Sequence, residues 1–193
     1  MIALLTAPCE ALLRANAEFP RVFVDPPNQT INAIGNVFTV NVNISDVFNL
    51  YAYEFKLYYS SIALNGTPPA VEGPFLESGG QTFFENLTFT DHYNSTCGVV
   101  WIVNTLIGNV LGVDGNGLLA TIRFNATAAG NSIPLYLSDI KLSDPEANVI
   151  PYVSFDGTVT VLPEFMSATA LLMLILISIP ILLRVRKMRK THS

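Results

Sequence analysis

Catalysis needs a nucleophile, a base or a metal held in useful company, and this chain assembles little of the kind. Its histidines, His92 and His192, stand far apart, and neither joins a Ser-His-Asp arrangement or a His/Cys spacing suited to zinc. The run Asp114-Gly115-Asn116-Gly117 lacks the twelve-residue spacing and closing glutamate of a calcium loop and reads as a tight turn before a strand. Asp144-Pro145 reads as a type I turn. The expectation is a protein that is not an enzyme and needs no cofactor or metal. The side chains whose spacing does point to chemistry are asparagines. Asn-x-Ser/Thr acceptors for glycosylation occur at Asn28, Asn43, Asn65, Asn86, Asn94 and Asn125, against about two expected by chance from this composition.

The 193 residues suffice for one good core and a small extra element. Half the side chains are hydrophobic and 13% are charged, which excludes a disordered chain. The formal charge of −5 averages two unlike parts. Between residues 18 and 163 the basic side chains are Arg21, Lys56, Arg123 and Lys141, outnumbered by acidic ones. Arg184, Arg186, Lys187, Arg189 and Lys190 crowd the last ten positions. No basic patch lies within the region expected to fold, which argues against nucleic-acid binding.

From Met166 to Leu183 no residue is charged. As a helix rising 1.5 Å per residue this stretch would be about 27 Å long, close to the hydrocarbon thickness of a bilayer. A transmembrane helix is expected over 166–183, with the basic tail 184–193 in the cytoplasm and the rest outside, at the cell surface. Residues 1–17 offer an apolar stretch and a small-x-small site, Ala15-Asn16-Ala17, as a partial signal peptide would, although Pro8 and Glu10 interrupt it. With that leader removed, Cys97 is the only thiol, no internal disulfide can form, and the cysteine reads as a small core hydrophobe.

The region that must position the asparagines, 18–162, alternates with period two. Phe38, Val40, Val42 and Ile44 share one face, and Thr39, Asn41 and Asn43 the other. Tyr51, Tyr53, Phe55, Leu57 and Tyr59 oppose Ala52, Glu54, Lys56 and Tyr58. Phe83, Leu87 and Phe89 oppose Phe84, Asn86 and Thr88; Ala120, Ile122 and Phe124 oppose Thr121, Arg123 and Asn125; Phe155, Val159 and Val161 share the last face. Trp101, inside the apolar run 97–108, is expected in the core. Gly, Pro and Asn/Asp clusters separate the runs. The fold expected is all-β, an antiparallel β-sandwich or jelly roll of about nine strands, with Asn43, Asn86 and Asn125 on polar faces from which a glycan could project.

The order and wording of these segments resemble cohesin domains, the receptors of dockerin modules, over residues 20–162. FTVNVNISDV matches the family's V-x-V-x-V-N strand, AYEFKLYYSSIAL (52–64) its G-F-x-F-x-L-x-Y-D-P-x-x-L strand, and Gly73-Pro74-Phe75-Leu76 its G-x-F-L turn. The stretch 115–161 follows G-x-L-A-x-I-x-F, then P-L-x-L-x-D-x-x-L-x-D, then x-D-G-x-V-x-V. Separately, Pro163-Glu164-Phe165, an apolar span and a basic cluster resemble the PEF-type sorting signal of archaeal surface proteins, which implies processing by an archaeosortase-type enzyme.

The first resemblance implies a surface module that binds a dockerin-bearing protein through a flat sheet face including Ala52, Glu54, Lys56 and Tyr58. Ala52 replaces the polar residue often found there. Asn86 would lie in the same sheet, where a glycan would obstruct docking. Carbohydrate-binding modules share the sandwich, so a polysaccharide is the alternative partner, although Tyr58, Phe84 and Tyr93 form no obvious aromatic row. A third reading is a glycosylated envelope component without a ligand.

Overall fold

The computed structural model describes residues 19–163. The expected leader, Glu164 and Phe165 of the sorting motif, the membrane span and the basic tail lie outside the described residues, among which no helix is long and apolar enough to cross a membrane.

Alternation makes this chain a strand former, and eleven strands result: β1 (Arg21–Asp25), β2 (Asn28–Ile31), β3 (Val37–Leu50), β4 (Ala52–Ser60), β5 (Leu64–Glu72), β6 (Thr82–Thr90), β7 (Cys97–Leu106), β8 (Val113–Ala126), β9 (Gly130–Ser143), β10 (Val153–Phe155) and β11 (Gly157–Val161). One short helix, α1 (Pro74–Glu77), follows β5 and buries Phe75 and Leu76. A five-stranded sheet in the order β10-β1-β3-β8-β5 packs on a six-stranded sheet in the order β2-β11-β9-β4-β7-β6.

The expected sandwich is present, but it is mixed rather than antiparallel. β1 pairs parallel with β10, and β2 pairs parallel with β11. Both parallel pairs join the first two strands to the last two of the described residues, which no local hairpin signal could announce.

The core is built from the faces that the alternation assigns. Val40, Val42 and Ile44 of β3, Phe55 and Leu57 of β4, and Ile122 and Phe124 of β8 are all essentially inaccessible. Burying each side chain stabilises the fold by about 1.5–3 kcal/mol. Across the layers, Tyr59 of β4 meets Phe124 of β8 edge-on, with ring centroids 4.8 Å apart. The Tyr59 ring lies over Gly98 of β7, where an added Cβ would stand 2.2 Å from the ring carbon Cζ.

A polar link also ties the sheets together. Buried Asn104 of β7 donates through Nδ2 to the Tyr53 hydroxyl (3.2 Å) and to Glu72 Oε1 of β5 (2.6 Å). Tyr53 in turn donates to the Leu119 carbonyl of β8 (2.6 Å). Burial raises the Tyr53 pKa, so the hydroxyl stays protonated and able to donate.

Four local expectations are corrected. Phe155 stands on β10 of the five-stranded sheet, half exposed, while Val159 and Val161 on β11 of the other sheet are buried. In β6 the inward residues are Phe84 and Phe89, with Phe83 and Leu87 outside. A register shift between Asn86 and Thr88 causes this: two residues of β6 oppose one of β7 and reverse the parity midway. Trp101 and Cys97 share the outward parity of β7 and are half-buried, while Val100, Ile102 and Leu106 fill the core. The 114–117 run is not a turn before a strand but the first part of β8. Asp114 Oδ1 and Asn116 Oδ1 accept from the backbone N–H groups of Asn49 and Asp46, both in the left-handed region.

The four edges of the sandwich are short or interrupted. β10 and β2 have three and four residues. β5 carries Pro68 and Pro69, which have no N–H to offer, and its register shifts there. β6 is broken by its bulge.

Candidate binding face

The four side chains singled out by sequence, Ala52, Glu54, Lys56 and Tyr58, do lie together. They face outward from β4, which runs between β9 and β7. Register places Ala52 between Ser143 and Thr105, Glu54 between Lys141 and Val103, Lys56 between Ser138 and Trp101, and Tyr58 between Tyr136 and Val99. Beyond β7, β6 adds Phe83 opposite Thr105 and Glu85 opposite Val103.

The middle of this face is one connected set of polar groups. Lys141 Nζ lies 2.9 Å from Glu54 Oε2, and Trp101 Nε1 donates to Glu54 Oε1 at 2.9 Å. Lys56 Nζ sits 4.6 Å above the Trp101 ring and 2.8 Å from Asp139 Oδ2. A bulge supplies Asp139. The register of β4 with β9 shifts between Glu54 and Lys56, Asp139 has a φ of 50°, and Ser138 and Asp139 both reach the outer surface. Hydrogen bonding to Asp139 raises the Lys56 pKa, and the same bond lowers that of Asp139.

Two hollows flank the network. At the Ala52 end a groove of about 440 Å³ is lined by Ala52, Phe83, Val103, Thr105, Ser143 and Val149. Phe83 and Val149 are exposed apolar walls. Val149 is carried by the β9–β10 turn, in which Asp144 accepts from the backbone N–H and side-chain amide of Asn148. That bonding lowers the Asp144 pKa. At the other end Tyr58, Tyr136 and Cys97 line a notch of about 260 Å³, and Tyr93 from the β6–β7 loop meets Tyr58 edge-on at 5.3 Å. Desolvation, then its bond with Tyr93, raises the Tyr58 pKa.

Sequence reasoning missed Trp101, Asp139 and Phe83. For Trp101 a signal existed: the buried set Val100, Ile102, Asn104 and Leu106 is itself alternating, but Val99 and Val103 on the other parity hide it. Asp139 owes its place to a bulge that leaves no mark in the pattern.

The other outer face differs. Asn43 on β3, Asn65 on β5 and Asn125 on β8 all point outward from the five-stranded sheet, with Asn65 directly opposite Asn125. Asn28 is exposed on β2 and Asn94 in the β6–β7 loop. Asn86 corrects the expectation of an outward polar position. It faces inward, accepting from the Ala70 N–H (3.1 Å) and donating to the Ala70 carbonyl (3.3 Å), and so stitches β6 to β5 of the other sheet. Pro163 is the last described residue, just beyond β11.

His92 is exposed in the β6–β7 loop. Among the described residues no group of three or more His, Cys, Asp or Glu side chains could hold a metal ion.

Cohesins are among the solved structures of similar shape. A non-cellulosomal cohesin from the hyperthermophilic archaeon Archaeoglobus fulgidus aligns with a TM-score of 0.57 at 17% identity, over 75% of this chain and 91% of that one. A type I cohesin from Pseudobacteroides cellulosolvens gives 0.59 at 18% identity, over 78% and 96%. The cohesin of a type I cohesin–dockerin complex from Clostridium thermocellum gives 0.59 at 12% identity, over 75% and 100%. No protein-family model matches the chain, and no curated protein matches it. At these identities the likeness defines the fold, which is the cohesin fold.

Proposed function

We propose that this cohesin-fold chain is a non-catalytic attachment module whose six-stranded outer face binds a dockerin-bearing protein at the cell surface. The observation that carries this reading is the joined network Lys141–Glu54–Trp101–Lys56–Asp139 beside an apolar groove on the outer face of the six-stranded sheet. Several of the similar solved structures are cohesins in complex with dockerins. Charges already paired with one another limit what a partner must desolvate, and the groove offers apolar area at the patch's end. Inward-turned Asn86 also removes the obstruction that a glycan on β6 would pose.

The surface location rests on sequence: the apolar span 166–183, the basic tail and the acceptor asparagines. Pro163-Glu164-Phe165 supports processing by an archaeosortase-type enzyme before or instead of permanent membrane anchoring.

The deciding experiment titrates the detergent-solubilised full chain with dockerin-bearing proteins of the same cell by calorimetry. Binding at micromolar Kd or tighter to at least one, abolished by Lys56→Glu, is expected; no heat with any of them overturns the reading.

A polysaccharide ligand is the second reading, favoured by Tyr58, Tyr136 and Tyr93 gathered at the notch. A glycan array separates the two, because a sugar ligand would bind the full chain without any protein partner and lose affinity in Tyr58→Ala.

A further inference from the structure

We infer that N-linked glycans clothe the outer face of the five-stranded sheet, with Asn43 and Asn65 as acceptors, and that Asn86 and Asn125 stay bare. The inference rests on the surface location proposed above and goes beyond it by assigning the four sites that lie on β3, β5, β6 and β8. Six acceptor sequences look alike along the chain, but the fold treats them differently. Asn65 is exposed on edge strand β5, and Asn43 faces outward from β3, its Nδ2 held only by a 3.3 Å bond to Asp25.

Asn125 has the same parity but is shielded. Its Oδ1 and the Thr127 hydroxyl that completes its acceptor sequence are both inaccessible to solvent. Asn65 faces it directly across the β5–β8 ladder. Facing Cβ atoms lie about 5 Å apart, too close for two branched sugars side by side. Asn86 is closed for another reason: both polar atoms of its amide are engaged with Ala70. Glycosylation there would need to break the contact that joins the sheet edges.

In the transfer, Asn Nδ2 forms a bond to the anomeric carbon of a phosphate-activated, lipid-linked sugar donor. The carbon–oxygen bond to phosphate breaks, the lipid phosphate leaves with that electron pair, and the amide gives up one proton to a base on the transferase. Only an amide free to leave its hydrogen bonds can take this path on the folded protein.

Glycopeptide mass spectrometry of the full chain from its native cells tests the assignment. Sugar mass on the Asn43 and Asn65 peptides, with Asn86 and Asn125 unmodified, is the expected map. In Asn65→Gln one glycan disappears and Asn125 remains bare. Sugar on Asn86, or Asn43 and Asn65 both bare, overturns the inference wherever the chain is found. Partner titration is read separately, so failure of the glycan map leaves the binding proposal to its own result.

Discussion

On the five-stranded sheet many outward side chains of the central strands are short, Thr39, Asn41 and Asn43 on β3 and Thr121 and Asn125 on β8, beside the larger Val37 and Arg123. On the six-stranded sheet they are long and bonded to one another, from Lys141 through Glu54, Trp101 and Lys56 to Asp139. Both faces arise from the same alternation over the same core. What separates them is reach. On this outer face Thr121 reaches only its facing neighbour Asn41 (2.9 Å). Lysine, glutamate and tryptophan span adjacent strands, and each holds the next in place. A face whose side chains are already ordered loses less conformational freedom when a partner covers it.

Substitutions that treat the faces unequally test this contrast. The largest effect is expected from Ala52→Arg, which fills the groove with a charge. Affinity for a dockerin-bearing partner should fall by about 30-fold or more, the equivalent of a hot-spot loss near 2 kcal/mol. Thr39→Arg on the opposite face should leave the same calorimetric titration unchanged; equal losses in both would end the distinction.

Asn104→Leu removes the link beneath both faces and leaves Glu72 without its donor. A loss of about 1–3 kcal/mol in denaturant unfolding is expected, with the midpoint moving and the slope held. A smaller effect follows from Trp101→Phe. Losing the bond to Glu54 and the better ring for Lys56 should weaken partner binding by about 1 kcal/mol, with unfolding nearly unchanged because the residue is half-buried.

The smallest effect is a flat pH response. Asp139, with its pKa lowered, contributes its pairing above the ordinary aspartate range and loses it only as pH falls through the lowered value. Lys56, with its pKa raised, contributes below the ordinary lysine range and loses it as pH rises through the raised value. Partner affinity should therefore vary little between about pH 5 and 9. A steep change inside that window would mean that another group carries the binding.

Much of this was legible from residues alone, and the failures have a common cause. The two faces of β3, β4 and β8 follow from simple alternation, because these strands bury one side against the opposite sheet and keep the other outside. The shared outward parity of Ala52, Glu54, Lys56 and Tyr58 follows from it, whereas their choice as a binding face came from the cohesin resemblance. β6 and the Asp139 region were misread or missed because a bulge adds one residue and swaps every later side chain to the other face. Nothing in the order Phe83, Phe84, Glu85, Asn86, Leu87 marks where that happens. Trp101 was misplaced because β7 is apolar on both parities, covered inside by the core and outside by the stems of its neighbours. The parallel pairs escaped for a different reason: they join segments more than a hundred residues apart in sequence, and periodicity carries no information about distant partners.

The interrupted edges bear on how densely such molecules can be crowded. Extending a sheet from one copy into the next requires a run of free N–H and C=O groups along an outermost strand. Three-residue β10, four-residue β2, proline-bearing β5 and bulged β6 each deny that run. Many copies can then stand shoulder to shoulder with no long free edge along which to fuse into fibrils.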